Sequence, residues 1–221
     1  MNSVEIRITY DFICPWCWIG HRHLVAALAQ VRLKTAPTIH YQPYELNPGM
    51  PKQGVERKAY RTAKFGNWAR SQAMDDDVAL AGTRAGVEFH YDRVAITPNT
   101  RLAHRLMYFA GMKGDATQSA ALFDAIFHAY FSEGKDIGRA DVLAAIAGEN
   151  GFDAEEIRRF LATPAGEQAV AEQARQAQDD GVRSVPTLRI GDTLISGAQP
   201  PSVLAQVLTA AAAKIVDTPT T

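Results

Sequence analysis

The feature that most constrains the fold is a Cys-x-x-Cys pair at the junction between a strand pattern and a helix pattern. Residues 4–10 alternate between apolar and polar side chains, which is typical of a strand with one buried face. Residues 11–15 break this alternation, and from Trp16 the apolar residues follow helical spacing. Cys14 and Cys17 are therefore predicted to lie on the first turn of a helix that directly follows a strand.

This placement suits thiol chemistry. A pair spaced in this way brings two sulfurs within bridging distance, while the positive end of the helix dipole stabilises a thiolate on the first cysteine. Pro15 is favourable at the first helical position, because the N–H that it lacks would be unpaired there. We therefore assign Cys14 as the nucleophile and Cys17 as the resolving thiol of a pair that reacts through a mixed disulfide.

A Cys-x-x-Cys pair can also bind metal or haem, or simply contribute to packing. The chain has only two cysteines, which excludes a disulfide framework. Covalent haem would need His directly after the second cysteine, where Trp18 stands. Zinc would need four ligands, and the nearby His21 and His23 lie on different faces of the same helix, so we expect no metal. Two buried cysteines that lie close together without reacting are the simplest alternative.

The charge and composition of the chain limit which binding partners are expected. The formal net charge is -1 and charged residues are interspersed, which argues against nucleic acid and against an anionic membrane surface. The first ten residues lack the basic start and apolar stretch of a secretory signal, and no run approaches the roughly 18 apolar residues of a spanning helix. We expect a cytoplasmic protein, monomeric or homodimeric, with no nucleic-acid or membrane partner.

The remaining elements follow the same rules. A second strand is predicted at 38–44, then a helical stretch broken at 111–114, 135–138, 148–151 and 163–164, then strands at 187–190 and 193–195 and a helix after Pro201. The link Gly191-Asp192 suits a hairpin turn. This order predicts an α/β thioredoxin fold with a mixed sheet and a large inserted all-helical domain. The expected bounds are 1–50 with 182–221 for the thioredoxin-like domain, and 51–181 for the insertion.

Five motifs follow one another along the chain: Asp11-Phe12-Ile13-Cys14-Pro15-Trp16-Cys17-Trp18-Ile19-Gly20, Tyr44-Glu45-Leu46-Asn47-Pro48, Pro98-Asn99-Thr100 with Ala103-His104-Arg105-Leu106, Val185-Pro186-Thr187, and Ile195-Ser196-Gly197-Ala198-Gln199-Pro200. In this order they resemble the DsbA-like thioredoxin superfamily, and in particular its FrnE-type branch. That branch is related to 2-hydroxychromene-2-carboxylate isomerases and kappa-class glutathione transferases. The resemblance covers nearly the whole chain and implies a cleft between two domains.

The resemblance also implies a substrate loop beside the cysteines. In a thioredoxin-type site a cis-proline loop lies opposite the Cys-x-x-Cys, and the residue before the proline offers backbone hydrogen bonds to an extended substrate. Val185 and Pro186 match this loop, and Pro186 could otherwise simply begin a strand. Together with Pro15 and Trp16, they form the expected substrate contacts around Cys14.

Further ligand contacts are implied in two other motifs. Asn99 and His104 would face the cleft, and the alternatives are a helix cap for Asn99, in competition with Thr97, and a core or surface position for His104. The N–H groups of Gly197, Ala198 and Gln199 would face an anionic ligand such as a glutathione carboxylate, and the alternative is an ordinary turn.

This chain departs from the strongly oxidising DsbA enzymes that it resembles at one position. Those enzymes have His directly before the second cysteine, where this chain has Trp16. Because an indole carries no charge, we expect a weaker stabilisation of the Cys14 thiolate and a less oxidising couple. Its potential is expected between about -120 mV, the value for DsbA, and about -270 mV, the value for thioredoxin.

These observations favour a thiol–disulfide oxidoreductase that acts on protein or small-molecule thiols and disulfides through Cys14 and Cys17. The alternative is a glutathione-dependent isomerase or transferase, in which Cys17 would be dispensable. A third possibility is a peptide-binding module without redox turnover. We expect no bound cofactor, with glutathione as a candidate co-substrate.

Overall fold

A computed structural model describes residues 3–216 of the chain. In chain order its elements are β1 (Glu5–Tyr10), α1 (Pro15–Gln30), β2 (Thr38–Pro43), β3 (Val55–Glu56), α2 (Arg57–Phe65), α3 (Trp68–Ala85), β4 (Ile96–Thr97), α4 (Arg101–Lys113), α5 (Ala116–Phe131), α6 (Ala140–Glu149), α7 (Ala154–Leu161), α8 (Glu167–Asp179), β5 (Thr187–Ile190), β6 (Thr193–Ser196) and α9 (Pro201–Val216).

The four-stranded sheet has the order β2-β1-β5-β6. The central strand β1 pairs in parallel with β2 and antiparallel with β5, so that Ile8 lies opposite both Tyr41 and Leu188. The hairpin of β5 and β6 turns at Gly191, which has a positive φ of 54°. The predicted mixed sheet and its terminal hairpin are confirmed. Helices α1 and α9 pack against each other within the same unit.

The chain divides into two compact units. One contains the described residues up to Tyr44 and those from Gln176 onward, and the other is Glu45–Arg175. The boundaries between the two units fall after residues 44 and 175, six residues before the boundaries at 50 and 181 that were expected from the sequence. The second boundary falls inside α8, because this helix continues through Arg175 without interruption.

The unit Glu45–Arg175 is mostly helical, and its helices end close to the predicted breaks. It is not all-helical, because β3 and β4 form an antiparallel pair of two residues each. Strands this short have no alternating pattern that could be detected in the sequence. A second correction concerns α4. It begins at Arg101 with Thr100 as its N-cap residue, so Thr97 does not cap it, and the Asn99 side chain accepts the Arg101 N–H at 3.0 Å.

Apolar spacing explains how the core of this unit forms. Phe123, Phe127 and Phe131 recur every four residues along α5, which places them on one face of the helix. All three are buried, with ring centroids 5.1 Å and 6.2 Å apart for successive pairs. Across residues 3–216, no helix combines the length and the apolar character that a membrane span requires.

Candidate active site

Cys14 occupies the turn that joins β1 to α1. Its N–H donates to the carbonyl of Asp11 at 3.0 Å, and its own carbonyl accepts the N–H of Cys17 at 3.0 Å. Cys14 is the N-cap residue of α1, with extended backbone angles, and Pro15 follows as the first helical residue. The Cys14 side chain makes no capping hydrogen bond. Its sulfur therefore lies at the positive end of the helix dipole, where a negative charge is stabilised.

The two thiols are both free and have different surroundings. Cys14 is 7% exposed, whereas Cys17 is fully buried. Burial raises the pKa of the Cys17 thiol well above its ordinary value. The neighbouring Cys14 sulfur and the Asp11 carboxylate add to this rise in pKa, and a hydrogen bond from the Asp11 backbone opposes it. Cys14 is thus the thiol that a reactant can reach, and Cys17 is the protonated thiol behind it.

The loop before β5 lies against the first cysteine. The Val185–Pro186 peptide bond is cis, and the Cys14 thiol donates to the Val185 carbonyl with a sulfur–oxygen distance of 3.5 Å. The hydroxyl of Thr187 bonds to the Ser184 carbonyl at 2.7 Å, which closes the loop on itself. The structure therefore brings Val185 and Pro186 to the Cys-x-x-Cys pair.

Gly20 lets this loop approach α1. A Cβ atom at Gly20 would lie 3.2 Å from Pro186 Cγ and 3.6 Å from the Cα of Ala198. The first distance is tighter than ordinary van der Waals contact, so Pro186 would have to shift by a few tenths of an ångström to admit a side chain here. The Pro186 carbonyl in turn accepts the N–H of Gly197 at 2.8 Å. Two separate loops thus meet α1 at one glycine.

The two tryptophans of the first motif have different positions. Trp16 is 42% exposed beside Cys14, whereas Trp18 is only 2% exposed and belongs to the core. An exposed indole on the first turn of α1 offers an apolar surface next to the reactive sulfur.

The segment Gly197–Gln199 differs from its predicted role. The N–H of Gly197 donates to Pro186, and the N–H of Gln199 donates to the carbonyl of Gly197 at 2.9 Å. Two of the three N–H groups that were expected to face an anion therefore already have acceptors within the chain. The prediction now applies to the N–H of Ala198 alone.

Asn99 and His104 lie in the other unit. The Asn99 amide nitrogen donates to the Met50 carbonyl at 2.7 Å, and its oxygen accepts the Arg101 N–H, so both ends of the side chain have local partners. His104 is 1% exposed within α4. The Asn99 side chain thus bonds the first helical N–H, although Thr100 is the N-cap residue, and a ligand role for Asn99 or His104 stays a prediction.

Sequence reasoning missed three residues that shape this site. Asp11 and Gly20 belong to the first motif but were assigned no role from the sequence, and His23, whose Nδ1 lies 2.9 Å from the Gln199 carbonyl oxygen, was considered only as a zinc ligand. An acidic residue shortly before a cysteine pair and a glycine inside a predicted helix were the available signals. Within the described residues, no three His, Cys, Asp or Glu side chains are grouped to hold a metal ion.

Comparison with known proteins gives this geometry a context. A probable DsbA oxidoreductase from Streptomyces coelicolor superposes with a TM-score of 0.88 and 29% identity, covering 99% of this chain and 93% of that one. A 2-hydroxychromene-2-carboxylate isomerase superposes with a TM-score of 0.71 and 19% identity, covering 98% and 100%. The cytosolic disulfide reductase DsbM from Pseudomonas aeruginosa, solved with GSH, gives a TM-score of 0.61 and 20% identity, covering 96% and 97%.

The last two similarities, both below 25% identity, concern the fold alone. The family described as the DSBA-like thioredoxin domain matches residues 5–209, which is most of the chain. The resemblance expected from the five motifs is confirmed, and this protein belongs to the family of DSBA-like thioredoxin domains.

Proposed function

We propose that this protein is a thiol–disulfide oxidoreductase that uses Cys14 as its nucleophile and Cys17 as its resolving thiol. The observation that carries the proposal is the arrangement around Cys14. Its sulfur lies at the N-terminus of α1 and against the Val185 carbonyl, with a second, fully buried thiol one helical turn behind it. A structural pair of cysteines would need neither the helix end nor this loop.

The reaction balances without a cofactor. The Cys14 thiolate attacks one sulfur of a substrate disulfide, which forms a mixed disulfide and releases the other substrate thiolate. Cys17 then loses its proton and attacks the Cys14 sulfur, which releases the second substrate thiolate and leaves a Cys14–Cys17 disulfide. Two electrons pass from the protein pair to the substrate. The same steps in reverse oxidise a substrate dithiol.

The different surroundings of the two sulfurs determine the order of these reaction steps. Cys17 has a raised pKa and no exposed surface, so it cannot be the first thiol to meet a substrate. Once Cys14 is bound in a mixed disulfide, the Cys14 sulfur is the electrophile that Cys17 faces across one turn of α1. We assign Trp16 and the Val185–Pro186 loop to substrate contact, since both lie next to Cys14.

Glutathione is our proposed small-molecule partner, as a co-substrate rather than a bound cofactor. The support is the relative solved with GSH, a cytosolic disulfide reductase of the same fold. We place this protein in the cytoplasm on the same basis.

Replacing Cys17 tests the proposal. In Cys17→Ser, the mixed disulfide with glutathione cannot be resolved, so incubation with oxidised glutathione should give a stable adduct on Cys14 that is detected by intact mass. Cys14→Ser is the matched control and should give no such adduct, because Cys17 is buried.

Two results would contradict this proposal. A Cys17→Ser variant that keeps full glutathione-dependent turnover would favour the isomerase or transferase alternative. A wild-type protein whose cysteines stay reduced across a full glutathione redox series would remove redox chemistry from the site. That titration also gives the reduction potential, for which a value more oxidising than about -120 mV would contradict the expectation from Trp16.

A further inference from the structure

His23 is bonded to the loop that precedes α9. Its Nδ1 atom lies 2.9 Å from the carbonyl oxygen of Gln199. A carbonyl oxygen can only accept, so the ring nitrogen Nδ1 carries the proton and donates it. His23 lies on α1, the same helix whose first turn holds Cys14 and Cys17.

The same loop is bonded to the substrate loop. The Gln199 side chain donates to the Ser196 carbonyl at 2.9 Å, which keeps the turn compact. Within that turn the N–H of Gly197 donates to the carbonyl of Pro186 at 2.8 Å. The residue before Pro186 supplies the carbonyl that accepts the Cys14 thiol.

These bonds form a closed ring. It runs from Cys14 to Val185 and Pro186, through Gly197 to Gln199, and from His23 back along α1 to Cys14. Gly20 lies inside this ring on α1, where both loops contact it closely. The position of the Val185 carbonyl relative to the Cys14 sulfur therefore depends on how tightly the 196–199 turn is held to the helix.

We propose that His23 is a positioning residue for the Cys14 thiol. By donating to Gln199 it holds the 196–199 turn against α1, and this turn, through Gly197 and Pro186, keeps the Val185 carbonyl at the Cys14 sulfur. The hydrogen bond to Val185 is made by the protonated thiol only, because a disulfide has no S–H to donate. The hydrogen bond from His23 to Gln199 therefore stabilises the reduced Cys14–Cys17 pair relative to its disulfide, a consequence that rests on the proposed function.

Three variants separate this role from general destabilisation. His23→Leu removes the donor. His23→Asn keeps one, because Nδ2 of Asn is bonded to Cγ in the same way as Nδ1 of His. Gln30→Leu is the matched control, since Gln30 is the exposed last residue of the same helix, at the end opposite to the cysteines.

The first measurement is the rate at which iodoacetamide alkylates the reduced protein. Cys14 is the more exposed thiol, so it dominates this rate. Loss of one neutral hydrogen bond changes an equilibrium by about two- to tenfold, and we expect alkylation of His23→Leu to accelerate by that factor. His23→Asn and Gln30→Leu should stay within about twofold of wild type.

The second measurement is the equilibrium between reduced protein and glutathione disulfide. In His23→Leu this equilibrium should shift towards the protein disulfide by about two- to tenfold. If His23→Leu fails to fold, Gly20→Ala is the second variant, because its Cβ presses on Pro186 and so perturbs the ring at another point. It should shift both the alkylation rate and the glutathione equilibrium in the directions expected for His23→Leu.

Rates and equilibria of His23→Leu equal to those of Gln30→Leu would overturn the role of His23, and so would a His23→Asn variant as reactive as His23→Leu. A wild-type protein that does not exchange with glutathione would instead overturn the proposed function. The alkylation rates would still decide the role of His23, because alkylation requires no redox turnover.

Discussion

Replacing Arg105 by Met should strongly destabilise the unit Glu45–Arg175. The Arg105 side chain is 2% exposed. Its guanidinium donates to the carbonyls of Phe160 at 3.0 Å, Leu161 at 3.4 Å and Ala165 at 2.9 Å, and also to the carbonyl of Thr163. These carbonyls lie at or just beyond the C-terminus of α7, where a helix leaves carbonyls without intrahelical partners, although the Phe160 carbonyl also accepts the N–H of Thr163 at 3.2 Å.

The magnitude follows from these bonds. A hydrogen bond from a charged donor contributes about 1.5–3 kcal/mol, and four bonds from one guanidinium are not additive. Residues 163–165 are exposed, so water can replace some of the hydrogen bonds that are lost in Arg105→Met. The ion pair with Glu167 at 3.6 Å adds little, because the Glu167 side chain is 53% exposed. We therefore expect a loss of about 3–5 kcal/mol, similar to breaking a buried charged pair.

The measurement is urea unfolding followed by circular dichroism, with the loss calculated from the shift of the transition midpoint. Met keeps the apolar stem of Arg, so the change reports mainly on the guanidinium. Arg105→Lys should give an intermediate loss of about 2 kcal/mol, because one ammonium cannot span four carbonyls. If the two units unfold separately, only the transition of the unit that contains α4 and α7 should move.

Arg101→Met is the matched control on the same helix. Arg101 is 45% exposed and pairs with Glu45 at 3.1 Å, and the Glu45 side chain is 10% exposed, so removing Arg101 should cost about 1–2 kcal/mol, still well below the loss expected for Arg105→Met. Equal losses in Arg101→Met and Arg105→Met, or a loss below about 1 kcal/mol in Arg105→Met, would refute the reasoning.

Two further changes test other parts of the molecule. In Asp11→Asn, one of the charges that raise the pKa of Cys17 is removed, so the release of a chromogenic thiol from a Cys14 mixed disulfide should reach its high-pH plateau at lower pH; an unchanged profile would count against this effect. Gly134 has a φ of 73° and a Cβ there would strike the Arg93 carbonyl, so Gly134→Ala should cost about 3 kcal/mol in urea unfolding, whereas Gly111→Ala, in an open helical position, should be neutral or stabilising.

The secondary structure was predictable wherever a local pattern repeats. The alternation before Cys14 and the Gly191-Asp192 turn predicted β1 and the last hairpin, because each pattern depends only on neighbouring residues. The pair β3–β4 was missed since two residues make no pattern. The cap of α4 was not located because several residues of 97–100 are acceptable caps; the N-cap is Thr100, and the Asn99 side chain before it bonds to the Met50 carbonyl and accepts the Arg101 N–H.

Long-range contacts account for the parts of the site that could not be predicted. Cys14 and Val185 are 171 positions apart, and His23 and Gln199 are 176 apart. No local spacing relates residues at such separations. The pairing of β1 with β5 places them together, because it carries the segment before Thr187 to the end of the strand that leads into Cys14.

The sequence by itself determined that two cysteines begin a helix after a strand with one buried face, and hence which of them is at the dipole end. Helical and strand periodicities are properties of a few consecutive residues, so they can be read without the fold. Only the tertiary structure decided that Cys17 is fully buried, that Trp16 is exposed while Trp18 is not, that two loops approach α1 at Gly20, and that His23 bonds to the Gln199 carbonyl. Burial and hydrogen-bond partners depend on what the rest of the chain packs against each residue, and that is fixed by strand pairing and helix packing.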